Sequence, residues 1–438
     1  ARKVRAEGSP RLLVMQSSGG VSDLDEAARH AAQFVLSGPA GGVVGAAYVA
    51  AASGYRDVLT FDMGGTSTDV AAVVGGAVAT TTEAVVSGVP IRFPMVDVHT
   101  VGAGGGSLAW VDEGGALRAG PRSAGADPGP AGYGRGGTEA AVTDANLCLG
   151  YLADGAKLGG DVVLRAGLAR EALARLGGEL GMNAEEAALG LVEVANAEMV
   201  RALRVISVER GLDPREFALV AFGGAGPMHA CALAEELGIQ TVLVPRAGGV
   251  LSALGLAISP LRRDYVRPLL AALPDVGRAT LDERFRELEA RASLDLDAPD
   301  LHRQADLRYR GQAFELTVGV DDVDDLEQRF HTAHDERYGY RMDDEPVELV
   351  NVRLTATAAG ESPELREKPA EKAAGERRRR ANFDGRWEDV RVLDRSELGA
   401  GSRVEGPAIV EFAEATCVVR RGWRGAVDDV GTLVLSAG

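Results

Sequence analysis

The run VLTFDMGGTSTDVAAVVGG, from Val58 to Gly76, decides how the rest of the chain is read. Two β-type runs flank a turn, Asp62 to Asp69, that gathers two glycines, three hydroxyls and two carboxylates. Gly64 and Gly65 let backbone N–H groups come close to an anion. The hydroxyls of Thr66, Ser67 and Thr68 can donate to phosphate oxygens. Asp62 and Asp69 could hold a hydrated Mg2+, which takes a few carboxylates together with phosphate and water. The competing reading is a plain hairpin with a glycine turn, which has little need for so many hydroxyls. The GxxxxGK pattern followed by Ser or Thr is absent, so P-loop phosphate binding is excluded.

Working outward, LVAFGGAGPMHACALAEELG (219–238) reads as a strand, a turn over Gly223, Gly224, Ala225 and Gly226, and a helix with Pro227 at its start. That order can seat a nucleotide against amides at a helix N-terminus. A tight turn with no ligand remains the alternative, because the dinucleotide glycine fingerprint is not completed. SGPAGG (37–42) opens an Ala-rich helix, and Asn183 with Glu186 forms a capping pair for a long helix over 183–210. Strands alternating with helices to about residue 265 give an α/β class. Between Gly120 and Gly137, ten of eighteen residues are Gly or Pro, which marks a functional or disordered loop.

Three further residues carry chemistry without spacing. His99 ends the run PMVDVH before a glycine cluster, and Asp127 lies in the Gly/Pro loop. With Asp62 they could form a metal or proton-transfer site, or each could be structural. His229, in the first turn of the helix after GGAG, is expected to pack or hydrogen-bond locally, and Cys148 and Cys231 to pack in the core. With Cys417 these cysteines lie far apart, which excludes a disulfide framework and fits a reducing compartment. Lys and Arg number 47 against 64 Asp and Glu, a formal charge of −17 that disfavours nucleic acid and anionic membranes as partners. No apolar run reaches membrane-spanning length and no secretory signal is evident, so the expected location is the cytoplasm.

At 438 residues, about three domains are expected. The boundaries suggested are a core over 1–265, an α+β region over 266–360, a charged linker over 361–381 and a small β-rich region over 382–438. Arg377–Arg380 reads as a solvated surface run, with a targeting or anion patch as the alternative.

The ordered motifs SGPAGGVVGA, FDMGGTSTDV, VGAGGGSLAW, GADPGPAGYG, TDANLCLGYL, AFGGAGPMHA and VPRAGGVLSALGLA resemble the hydantoinase A / 5-oxoprolinase family, which includes the ATP-binding subunit of acetone carboxylase. RYRGQAFEL, HDERYGYRMDDEPVELVNVRLTA, EGPAIVEFAEATCVV and the closing GTLVL are similar to its C-terminal region. The resemblance implies an actin-like ATPase (ribonuclease H-like) core, incomplete at the N-terminus. Within it, Asp62–Asp69 would be the second phosphate loop and Gly223–Gly226 the adenosine-side loop. It implies ATP and Mg2+ as cofactors, with a transition metal admitted. The substrate would be a cyclic amide (a hydantoin, 5-oxoproline or similar lactam), activated by O-phosphorylation and opened with a B-type partner in a hetero-oligomer. One departure stands out: the family has a first phosphate loop, a DxGGTFTD-like turn, roughly two hundred residues before its MQSxGG segment. Here MQSSGG is already at Met15–Gly20, so the opening half of the first lobe is expected to be missing. Two other readings follow, an acetone-carboxylase-like ATP-binding subunit and a truncated, non-catalytic nucleotide-binding scaffold.

Overall fold

The computed structural model describes residues 12–438 except 83, 87, 92, 161, 361, 371–374 and 376. The chain forms two compact units. The larger takes residues 17–19, 35–256 and 363–438; the smaller takes residues up to 16, 20–34 and 257–362.

The larger unit is built on one sheet. Its strands are β1 (Val58–Met63), β2 (Thr68–Val74), β3 (Ala77–Val78), β4 (Val98–Val101), β5 (Ala218–Phe222), β6 (Thr241–Val244), β7 (Arg403–Glu405), β8 (Trp423–Val427) and β9 (Leu433–Ala437). Spatial order is β4-β2-β1-β5-β6-β9-β8-β7, with β3 paired to β2. The meander β1-β2-β4 is antiparallel, whereas β5 runs parallel to β1 and β6 parallel to β5. Central strands covered on both faces read as continuous apolar runs: Val58, Leu59, Phe61, Leu219, Val220 and Ala221 are fully buried. Helices α1 (Ser37–Ala52), α2 (Ala184–Ile206) and α3 (Gly226–Leu237) pack against this sheet. As the sequence suggests, Asn183 caps α2: its side chain accepts from Glu186 N–H at 3.0 Å, while the Glu186 carboxylate accepts from Asn183 N–H at 2.8 Å.

The SGPAGG segment opens α1, where Gly41 and Gly42, with Gly45 one turn on, serve packing. A Cβ at Gly45 would come 2.4 Å from the Leu251 carbonyl, and one at Gly255 would come 1.8 Å from the Gly41 carbonyl. Helix α4 (Leu251–Ile258) therefore crosses α1 backbone to backbone. The Gly/Pro-rich loop is ordered by one buried carboxylate. Asp144 accepts from the N–H groups of Ala131, Gly132 and Ala141 at 3.1, 2.6 and 2.8 Å.

Residues 382–438 do not form a separate cap. Strand β9 pairs antiparallel with β6, and β8 and β7 continue the core sheet, while Arg386–Asp394, Ala408–Glu411 and Thr416–Val419 belong to a four-stranded sheet. The supposed linker over 361–381 likewise ends early, because Arg377–Phe383 is the edge strand of that sheet. Its arginines alternate between faces as a strand requires. Arg377 and Arg379 both bind Glu411, Arg378 lies 3.7 Å from Asp389, and the Arg380 guanidinium lies over the Trp387 ring.

In the smaller unit, Leu13–Met15, Val21–Asp23, Leu261–Ala272, Val347–Ala358, Asp300–Tyr309 and Leu316–Gly319 form a six-stranded sheet in that spatial order. The expected boundary at 265 falls inside the strand Leu261–Ala272. Helices Arg278–Asp295 and Leu326–Tyr338 bury Leu281, Phe285, Leu288, Leu326 and Phe330. Each fully buried side chain of this size contributes about 1.5–3 kcal/mol. Among the described residues, no helix is long and apolar enough to cross a membrane.

Candidate functional site

Because β5 runs parallel to β1 with Phe222 opposite Asp62, their C-terminal ends lie side by side at one edge of the sheet. The turn after each strand is glycine-rich, so Gly64–Ser67 and Gly223–Ala225 become neighbours. The contact is tight: the Ala225 N–H donates to the Met63 carbonyl at 2.9 Å. A Cβ at Gly223, which has φ +76°, would come 2.3 Å from Asp62 Oδ1. A third glycine turn backs the first. Gly105 and Gly106 donate their N–H groups to the carbonyls of Gly64 and Gly65 at 3.0 and 2.6 Å, and a Cβ at Gly104 would collide with the Thr66 backbone at 2.7 Å. Thr143 in turn donates its N–H and hydroxyl to the Gly105 carbonyl at 2.7 and 2.8 Å. This backing by Gly104–Gly106 and Thr143 escaped the sequence reading, although three consecutive glycines after a strand were the available signal.

The turns open onto a cavity of about 900 Å³ within the larger unit. Gly64, Gly65, Gly224 and Ala225 line it, and so does Gly105. Beside them Tyr133, Leu152, Leu164 and Met228 make an apolar wall; Lys157, Arg246, Arg377, Arg379 and Arg395 bring positive charge. At Gly65 nothing lies within 4 Å of a built Cβ, so that backbone is open to a ligand. Thr66 is exposed and Ser67 half-buried, both outside the cavity lining. Thr68 is different: it is fully buried and its hydroxyl donates to the Ala103 carbonyl at 2.5 Å, so it braces the turn and is not free to donate to phosphate.

Asp62 and Asp69 face each other directly across β1 and β2. Burial, reinforced by the negative charge of Asp69, pushes the Asp62 carboxyl up to about 6. Burial also raises Asp69, opposed by the hydrogen bond it accepts from the Thr100 hydroxyl at 2.5 Å. Two adjacent buried carboxylates, with Asp69 raising Asp62 and no cation or donor at Asp62 among the described residues, fit a divalent cation.

The wider metal set does not assemble. His99 is the register neighbour of Thr100 on β4, so its side chain leaves the opposite face of the sheet from Thr100 and Asp69. Asp127 sits exposed on the Gly/Pro loop. Among the described residues, no group of three or more His, Cys, Asp or Glu is gathered as a metal site. His229 behaves as expected: it is fully buried and held between Asn196 Oδ1 at 2.7 Å and Asn146 Nδ2 at 3.4 Å, and burial lowers it to about 4. All three cysteines are buried and unpaired.

Comparison with known proteins sets this geometry in context. The hydantoinase/oxoprolinase family model matches residues 1–265, and the hydantoinase/oxoprolinase C-terminal domain matches residues 301–437. The alpha subunit of caprolactamase from Pseudomonas jessenii is 36% identical over 97% of this chain and 64% of that protein. The crystal structure of the ATP-dependent caprolactamase superposes with TM-score 0.85 at 34% identity, covering 100% of this chain and 68% of that one. Nucleotide-free acetone carboxylase superposes with TM-score 0.83 at 26% identity, covering 100% and 66%. The chain thus spans about two-thirds of the length of these relatives. Its fold is of the actin-like ATPase type.

Proposed function

The chain belongs to the hydantoinase/oxoprolinase family, and on that premise we propose that it is the ATP-handling part of an enzyme that opens cyclic amides. The observation that carries this reading is the meeting of Gly64–Gly65 and Gly224–Ala225 on one cavity beside the Asp62–Asp69 pair. The polyphosphate of ATP lies on the Gly64–Gly65 turn, whose backbone amides meet its oxygens with the Thr66 and Ser67 hydroxyls at the cavity margin, and the Gly224–Ala225 turn takes the nucleoside side. Asp62 and Asp69 would hold Mg2+, which would supply charge neutralisation for the transferred group.

A lactam resists water because its carbonyl carbon is weakly electrophilic and its oxygen leaves poorly. The lactam carbonyl oxygen attacks the γ-phosphorus, and the bond from that phosphorus to the bridging oxygen breaks and releases ADP. Water then adds to the activated carbon, the ring C–N bond breaks as the amine nitrogen takes a proton, and a second water hydrolyses the acyl phosphate so formed to carboxylate and phosphate. The protein's part is positioning and charge stabilisation. Ring opening is completed with a further subunit, in keeping with relatives described as subunits. The likeness to acetone carboxylase supports a second reading, in which a ketone is activated in the same way.

The test is phosphate release by the complete enzyme, partner subunit included, against a panel of hydantoin, 5-oxoproline, caprolactam and acetone. Release stimulated by a cyclic amide is expected. Stimulation by acetone alone would replace the first reading with the second, and no stimulation by any of the four would defeat both.

A further inference from the structure

We propose that Glu414 accepts the ribose hydroxyls of the bound nucleotide, so that the C-terminal region of the chain completes the nucleoside site; this rests on the nucleotide reading above. Among the lining residues of the cavity are four carboxylates, Asp154, Asp394, Glu411 and Glu414. Three are already engaged. Asp154 accepts from the Ala166 N–H at 2.8 Å. Asp394 accepts from the Ser396 N–H and hydroxyl at 2.9 and 2.6 Å. Glu411 is held by Arg377 at 3.0 Å and by Arg379. Glu414 alone of the four has no hydrogen bond or ion pair among the described residues.

Its location is built by packing. Glu414 sits on the turn between Ala408–Glu411 and Thr416–Val419, which the Phe412 N–H closes onto the Ala415 carbonyl at 2.8 Å. The turn lies against two glycines of the core. A Cβ at Gly249 would come 2.5 Å from Glu414 Cβ, and one at Gly224 would come 3.5 Å from the Glu414 carbonyl oxygen. Glu414 Oε2 thereby comes 3.3 Å from the same Gly249 Cβ position, and the exposed side chain lines the cavity together with Gly224 and Ala225.

Chemistry narrows what it can serve. An ionised carboxylate only accepts hydrogen bonds, and it repels polyphosphate, so it marks the nucleoside end of the cavity. There the ribose diol offers two O–H donors, the partners that an acidic residue takes in dinucleotide-binding folds. The other donor, the exocyclic amino group of the base, is separated by the experiment.

Calorimetry on the full chain would compare Mg-ATP with Mg-2′-deoxyATP, Mg-3′-deoxyATP and Mg-ITP, with thermal midpoints read for each variant. ATP should bind about tenfold tighter than either deoxy analogue. Glu414→Gln should shrink that preference to about twofold and leave the ATP-to-ITP ratio unchanged. Gly249→Ala, which keeps the carboxylate but displaces its turn, should have the same effect. Equal binding of ATP and the deoxy analogues by the unmodified chain would overturn the assignment while sparing the nucleotide reading. So would a Glu414→Gln variant that weakens all ligands alike or alters only the ITP ratio. A chain that binds none of the four would remove the nucleotide reading and this inference together.

Discussion

Gly41, Gly45 and Gly255, where α1 crosses α4, and Gly64, Gly65 and Gly224, where the turns meet the cavity, occur in similar glycine-rich sequence but in opposite surroundings. In the first set a methyl group would meet a carbonyl oxygen at 3.0 Å or less at every position. In the second, the nearest atom to such a methyl is 4.0 Å away at Gly64, 3.5 Å at Gly224 and beyond 4 Å at Gly65. The lesson is that a small residue can be required by what the protein itself puts there, or by what it leaves room for.

Alanine substitution tests that contrast most strongly at Gly255. Gly255→Ala must push α1 and α4 apart and should cost about 3 kcal/mol or more in chemical denaturation. A loss below about 1 kcal/mol would mean the helices can slide at little expense. A charge change comes next. The folded Asp62 carboxyl titrates near 6, above its unfolded value of 3.8, so the native state holds this proton more tightly than the unfolded chain. Stability therefore falls as pH rises between those values, and the cost is complete above about 6. Asp62→Asn should be more stable than the parent by about 1–2 kcal/mol at pH 7.5 and indistinguishable below pH 4, while losing Mg-nucleotide binding. Equal stability at both pH values would mean the two carboxylates share no cost. The smallest stability effect is expected at Gly65→Ala, within about 0.5 kcal/mol, combined with a roughly tenfold loss of nucleotide affinity. Unchanged affinity would move the polyphosphate away from this turn.

The sequence exposes the parts of this design that are local. The Asp62–Asp69 hairpin, the strand-turn-helix at Gly223 and the Asn183 cap all follow from neighbouring residues, as do the strands and helices between 281 and 356. What depends on distant partners is hidden. Nothing near Leu433 says that its strand will pair with Thr241–Val244. The four arginines read as a solvated run, and Arg377, Arg378 and Arg380 are exposed, but Glu411 and Trp387, which give the strand its two faces, lie elsewhere in the chain. The close crossing of α1 is likewise hidden, because the α4 carbonyl opposite Gly45 lies more than two hundred positions away in the chain. His99 illustrates the same limit: its neighbour Thr100 lies opposite Asp69 across the paired strands, while alternation along the strand turns His99 to the other face of the sheet.

The pairing of β6 with β9 has a consequence for how this protein is made. While the ribosome is still producing the residues between them, the Thr-Val-Leu-Val strand carries a bare row of amides and carbonyls on one side. Such an edge invites pairing with any extended neighbour, including another nascent copy. Only when translation reaches the GTLVL segment can that side close. A segment far downstream of β6 is therefore the one that seals the sheet, and losing it would reopen the edge.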